Sequence, residues 1–209
     1  MNPRNRAPSS HRQPTGTGRF RVIGGRWRGR RLDFPALTGV RPTGDRVRET
    51  LFNWLQPVIS GATCLDLFAG SGALGIEALS RGAAEVLFVD RQPDLVEAIR
   101  GHLESLAADS GRCFCGEAGG FLGGDGRPFD IVFLDPPFGG ADWPALCRRL
   151  SSGGWLKPGA WVYMEDSASS GPPALPEGWM LLRTARAGNV GYHLASAPQR
   201  SPASAGDEE

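Results

Sequence analysis

Cys64-Leu65-Asp66-Leu67-Phe68-Ala69-Gly70-Ser71-Gly72-Ala73-Leu74-Gly75 runs from a short apolar segment, through a glycine-rich turn, into a helical pattern that closes at Gly82. Glycines at this turn let the backbone reverse sharply and let a ligand approach with no Cβ in the way. The spacing Gly70-x-Gly72-x-x-Gly75 is that of a dinucleotide fingerprint. Asp90 lies 20 residues after Gly70, where an acid for a ribose diol is expected.

The pattern continues in both directions as repeated βα units. Downstream come a strand from Glu85 to Asp90, a helix opening near Pro93 and Asp94, and a strand near Arg112 to Cys115. A glycine-rich loop (116–126), a strand from Phe129 to Leu134, a helix from Trp143 to Leu150 and a strand from Ala160 to Glu165 follow. Two last strand-like runs, Trp179 to Ala187 and Asn189 to Ala195, meet tightly at Gly188-Asn189. Upstream, Phe20, Val22, Trp27 and Leu32 are spaced by arginines around Gly24-Gly25, as in one or two short antiparallel strands. A helix capped by Thr43 or Asp45 then puts Val47, Leu51, Trp54 and Leu55 on one face. The expected fold is α/β and Rossmann-like: a mostly parallel seven-stranded sheet, helices on both faces, a closing antiparallel hairpin and a small N-terminal β extension. The expected organisation is a basic disordered tail (1–18), the extension and its helix (19–57), the catalytic domain (58–195) and an acidic disordered tail (196–209).

Two cofactors fit the glycine spacing. NAD presents a pyrophosphate and wants a loop free of negative side chains, whereas Asp66 stands in the strand just ahead of the glycines. A carboxylate there suits the ammonium group of S-adenosylmethionine, which the loop therefore favours. Asp90 suits a ribose under either reading, and Glu117 either accepts from an adenine amino group or is simply solvated.

Asp135-Pro136-Pro137-Phe138 follows an apolar strand and so falls beside the glycine loop, because open parallel sheets bind ligands beyond the carboxyl ends of their strands. Two prolines stiffen the backbone and remove two N–H donors, leaving carbonyl oxygens free to accept. An exocyclic base amine is a poor nucleophile because its lone pair is delocalised into the ring. Asp135 and the Pro136 carbonyl can each accept one of its N–H bonds, so catalysis by orientation and electrostatics is expected. Phe138 offers a stacking face for an extruded base. Class I S-adenosylmethionine-dependent methyl transfer to an amine nitrogen follows.

A net charge of +1 conceals a division. Through Arg48 the chain has 12 arginines against two aspartates, a net of +10, which leaves −9 on the remainder. The N-terminal end is built to meet an anion. Arg19, Arg21, Arg26, Arg28, Arg30, Arg31 and Arg41, with Trp27 among them, are the candidate RNA contacts. No run approaches the roughly 18 apolar residues of a membrane span, and no secretory signal opens the chain. Cys64, Cys113, Cys115 and Cys147 lack metal-ligand spacing, so reduced thiols, no metal and a cytoplasmic setting are expected. Tyr192 and His193 are read as packing residues.

Beyond the four-residue signature, three blocks resemble one family. They are Arg21-Val22-Ile23-Gly24-Gly25-Arg26-Trp27-Arg28-Gly29-Arg30, then Arg41-Pro42-Thr43-Gly44-Asp45-Arg46-Val47-Arg48-Glu49-Thr50-Leu51-Phe52-Asn53, and the loop from Asp66 to Gly75. Together they are similar to the RsmD family, which methylates N2 of one guanine in 16S ribosomal RNA, and the likeness runs from about Arg19 to Leu194. The resemblance implies cofactor contacts from Asp66, Phe68, Gly70, Ser71, Gly72, Asp90, Glu117 and Ala118, with Thr43 and Arg46 covering the methionine end. It implies chemistry at Asp135 to Phe138 and a partner in 16S rRNA within the 30S subunit or its assembly intermediate. A monomer is expected. The other readings are a methyltransferase for DNA base amines and a non-catalytic RNA-binding assembly factor.

Overall fold

The computed structural model describes residues 16–36, 43–137 and 142–199. The elements are β1 (Thr17–Arg21), a single 3-10 turn (Gly25–Trp27), β2 (Arg31–Pro35), α1 (Asp45–Leu55), β3 (Thr63–Asp66), α2 (Ala73–Ser80), β4 (Glu85–Asp90) and α3 (Pro93–Ser105). There follow β5 (Gly111–Cys115), α4 (Ala118–Phe121), β6 (Phe129–Leu134), α5 (Trp143–Ser152), β7 (Leu156–Ser167), β8 (Met180–Ala187) and β9 (Val190–Ser196). Thr17, Gly18 and Ser196, expected to belong to the tails, are strand residues, and the rest of the expected tails, apart from Gly16 and residues 197–199, lies outside the described residues.

Seven strands form one sheet in the order β5-β4-β3-β6-β7-β9-β8. All neighbours from β5 to β7 are parallel, and β9 is antiparallel to both β7 and β8. The expected closing hairpin is present, with β9 between β7 and β8 as the one strand that runs against the rest. Strand order changes direction between β3 and β6, and a crevice opens beyond the carboxyl ends at such a point.

Period-two alternation sorts the strand residues between two cores. Cys64, Val86, Phe88, Ile131, Phe133 and Tyr163 pack with the apolar faces of α1, α2 and α3. Leu65, Val89, Val132, Leu134 and Met164 pack with Trp143, Cys147 and Leu150 of α5 and with Leu122. Phe20, Val22, Leu32 and Phe34 of β1, β2 and their connection join the first core, so the N-terminal extension shares it. On α1 the buried face is Val47, Arg48, Leu51, Phe52 and Leu55. Trp54 lies beside it, stacked on Tyr192 at 5.4 Å between ring centroids. The cap is Gly44, with no side-chain hydrogen bond, in place of Thr43 or Asp45.

All eight residues of α2 are buried, since it lies between the sheet and the extension. Its Glu77 carboxylate is completely enclosed. It accepts from the Ile23 and Gly24 backbone N–H groups at 2.7 and 2.8 Å and from Arg81 Nε at 2.7 Å. Arg48 Nη1, also fully buried, stands 3.6 Å away. Ser80 Oγ adds a donor to the Gly24 carbonyl and an acceptor for the Trp27 N–H. Gly25, at φ +74°, must be glycine twice over, because a Cβ would lie 1.8 Å from the Ser80 carbonyl oxygen.

Glu77→Ala would strand a buried guanidinium and two N–H groups, with an expected loss of about 3–5 kcal/mol. Ser80→Ala is expected to lose only about 1–2 kcal/mol. Urea unfolding of both variants checks this, and equal losses would contradict the central place given to Glu77.

Candidate active site

The glycine loop connects β3 to α2. Gly70 and Gly72 both take positive φ, 52° and 78°, which a side chain would resist. Gly75 has another task, since a Cβ there would fall 2.2 Å from the Phe88 ring and push the helix off β4. Two carboxylates pin this loop through its backbone. Asp66 Oδ2 accepts from the Gly75 N–H at 3.0 Å, while Asp90 accepts from Gly70 N–H and Gln92 N–H, both at 2.8 Å.

Around the loop lies a cleft of about 980 Å³. Of the sequence-predicted residues it brings together Thr43, Asp66, Phe68, Gly70, Ser71, Asp90, Glu117, Ala118, Asp135, Pro136 and Pro137. Gly72 is buried behind the loop, and Arg46 is exposed on α1 away from the cleft wall. Phe138 and Arg41 lie outside the described residues. The lining adds Arg91, Gln92, Asp142 and Arg149, which sequence reasoning missed because they come from turns and a helix face without motif spacing. Five lining carboxylates (Asp66, Asp90, Glu117, Asp135, Asp142) face two arginines. Arg91 stands 3.7 Å from Glu117, and Arg149 donates to the Gly119 carbonyl at 3.1 Å. The field inside therefore suits a cationic ligand and opposes a pyrophosphate.

Burial pushes the Asp66 carboxyl up to about 7; the Gly75 N–H pulls it back and the Asp90 charge adds to the rise. Asp135 is held well above the ordinary carboxylate range by burial first and then by the Glu165 and Asp66 charges, against the Thr43 hydroxyl, which donates to Asp135 Oδ2 at 3.0 Å. Glu165, on β7, was also missed. It follows Met164, the register partner of Leu134, so the adjacent strand sets it level with Asp135, and it is only 5% exposed. Tyr163 donates to its Oε2 at 2.7 Å. No spacing in the sequence reports that juxtaposition.

On the extension, Arg19, Arg21, Arg26, Arg28, Arg30 and Arg31 are all exposed. Arg19 pairs with Asp33 and Arg21 with Asp45, while Arg26 sits over the Trp27 ring, 5.5 Å from its centroid. Among the described residues Arg28, Arg30 and Arg31 have no acidic partner, which leaves a compact cationic patch. Tyr192 and His193 are both buried, with His193 Nδ1 2.7 Å from Thr184 Oγ1. No helix among the described residues is long and apolar enough to cross a membrane.

Comparison with known proteins agrees with this geometry. The family model described as conserved hypothetical protein 95 matches residues 20–196. Ribosomal RNA small subunit methyltransferase D of Escherichia coli (strain K12) is 46% identical over 180 residues, covering 86% of this chain and 91% of that protein. The protein of the same name from Haemophilus influenzae is 42% identical over 185 residues, covering 87% and 95%. The solved structure of yhhF from Escherichia coli has a TM-score of 0.82 at 43% identity, covering 88% of this chain and 100% of that one.

The raised Asp66 carboxyl has a definite sign for stability. An ordinary aspartate titrates near 3.8, so the folded chain holds this proton more tightly than the unfolded chain. Between that value and about 7, its contribution to stability falls as pH rises. Asp66→Asn keeps an acceptor for the Gly75 N–H and removes the charge. Urea unfolding at pH 5 and pH 8 is expected to show a smaller loss across the interval in the variant than in the parent chain; parallel losses would contradict the assignment.

Proposed function

The chain belongs to the RsmD family of ribosomal RNA small subunit methyltransferases, and from that membership we propose that it transfers a methyl group from S-adenosylmethionine to the exocyclic N2 of a guanine in 16S rRNA. The observation that carries the proposal is Asp135, held by Thr43 at the carboxyl end of β6 and opening on the same cleft as the glycine loop.

The residues present fit S-adenosylmethionine. The cleft is within the usual volume of small-molecule sites, its lining is acidic, and the positive-φ glycines leave backbone open to close approach. Asp66 suits the ammonium end, Asp90 the ribose, and the Glu117-Ala118 turn the adenine; Phe68, Ser71 and Gly72 complete the loop. Thr43 reaches the methionine end through its contact with Asp135. Bound there, the cofactor supplies an electrophilic sulfonium methyl.

The chain's own task is to aim the nucleophile. The Asp135 carboxylate and the Pro136 carbonyl accept the two N–H bonds of the amine, which favours a pyramidal nitrogen with its lone pair directed along the transfer line. Neither Pro136 nor Pro137 carries an N–H that would compete for the acceptors. In this reading Arg28, Arg30 and Arg31 hold the RNA backbone together with Arg19, Arg21, Arg26 and Trp27, and the proposal keeps Arg41 as a further RNA contact and Phe138 as the stacking partner of the extruded base. Phosphate contacts position the RNA without naming the base. An rRNA substrate, in the 30S subunit or an assembly intermediate, implies a cytoplasmic setting. Action as a monomer is part of the proposal.

Two results test this reading. Labelled cofactor is incubated with 30S particles, naked 16S RNA and DNA, followed by nucleoside mapping. Label in N2-methylguanosine is expected, with transfer reduced about 100- to 1000-fold in Asp135→Ala; label confined to DNA, or near-normal transfer by the variant, would overturn it. Replacing Arg28, Arg30 and Arg31 together by Gln is expected to weaken RNA binding and to reduce its log–log salt slope by about 2, at unchanged cofactor affinity. An unchanged slope would remove the patch from the RNA surface.

A further inference from the structure

We propose that Glu165 is a positioning residue for the transfer reaction: buried level with Asp135 on the neighbouring strand, its carboxylate holds Asp135 as the acceptor of the proton released when the amine is methylated. The inference rests on the reading of Asp135 given above and assigns a role to a residue that the cleft itself does not display.

A neutral amine that gains a methyl group becomes cationic. To reach the neutral product, one N–H bond must break, with its electron pair staying on nitrogen and its proton passing to an acceptor. Asp135 already accepts that N–H in the aimed geometry, so the proton needs only to cross an existing hydrogen bond to a carboxylate oxygen. An ordinary carboxylate would be a weak acceptor. Burial and the neighbouring anion make this one stronger.

The two carboxyls are unequal, and the structure shows why. Glu165 receives the Tyr163 hydroxyl at 2.7 Å, while the Thr43 hydroxyl donates to Asp135. Burial raises both carboxyls, with the Tyr163 hydroxyl opposing the rise at Glu165 and the Thr43 hydroxyl opposing it at Asp135. Glu165 has a fixed donor in Tyr163 and stands behind the cleft lining, whereas Asp135 opens on the cleft, so Glu165 is assigned as the resident anion and Asp135 as the proton carrier. The other groups facing the pair act in known directions. Asp66 on β3 adds negative charge to Asp135, and Tyr192 on β9 pairs in register with Glu165. From α1, Arg48 reaches Thr43 only at its backbone carbonyl, at 3.1 Å, and directs its other contacts to Asp45 and Glu77. Methyl transfer moves the positive charge onto the nitrogen that Asp135 contacts, so the N–H bond becomes acidic at the atom whose proton Asp135 is placed to accept.

Glu165→Gln tests this, because the amide oxygen still accepts from Tyr163 while the charge is gone. In the ligand-free chain labelled with carboxyl-¹³C aspartate, the Asp135 signal is expected to titrate about one pH unit or more lower in the variant. In turnover, the acid limb of kcat/KM is expected to move down with it, while plateau kcat falls about three- to tenfold, so that the two pH profiles cross. A merely structural loss would lower the whole profile without crossing. If Glu165→Gln does not fold, Tyr163→Phe, which removes the donor that keeps Glu165 ionised, is expected to move both readouts in the same direction by less. Unmoved titration and uncrossed profiles would overturn the role of Glu165 alone. Near-normal transfer by Asp135→Asn would overturn instead the reading of Asp135 on which it stands.

Discussion

A carboxylate sealed inside a helix must find its full complement of donors from protein, because no water reaches it. Glu77 meets that requirement by drawing in two backbone N–H groups from the extension and one arginine from its own helix, with the buried Arg48 of α1 as a charge partner at 3.6 Å. The extension, α1 and the sheet are thereby held to a common point. Arg48 carries the constraint onward, since its Nε donates to the Thr43 carbonyl and the Thr43 hydroxyl donates to Asp135. A continuous set of polar contacts thus joins the arginine-bearing extension to the acid at the end of β6.

Charge is divided along the same lines. The cleft is lined by carboxylates that suit a cation, while the extension presents guanidinium groups to an anion. The N-terminal surplus of +10 overstates what is free for RNA. Arg48 is enclosed, and Arg19 and Arg21 are paired with Asp33 and Asp45. The pairs hold β1 to β2 and to α1, so part of the basic block serves to build the extension that presents the rest. Burial lowers the Arg48 guanidinium from its usual value, and the charges of Asp45 and Glu77 hold it up.

Much of this was legible in local pattern. The glycine turn after β3, the alternation of apolar runs with helical ones, and the acid and prolines after β6 all depend on neighbours in sequence, where spacing alone reports geometry. The differences arise where partners are distant. Trp54 was read as core because it falls at helical spacing, yet Tyr192 from β9 holds it at the margin, and Phe52 takes the buried position against Phe133. Nothing in the spacing around Arg48 and Glu77 marks them as core, and only packing the extension over α2 buries both. The order of the closing hairpin, with β9 inside and β8 at the edge, depended on which strand joined β7.

By itself the sequence determined a Rossmann-like parallel sheet, a cleft at its switch point, a cationic cofactor preference and an acid beside two prolines. These follow from backbone permissiveness and short-range periodicity, which act over a few residues. Tertiary structure decided which charges became buried, which arginines stayed free, and which side chain stands beside Asp135. Those outcomes depend on strand register and on desolvation. Register couples residues 30 apart, as it does Asp135 and Glu165, and desolvation exists only once the chain has closed around the group.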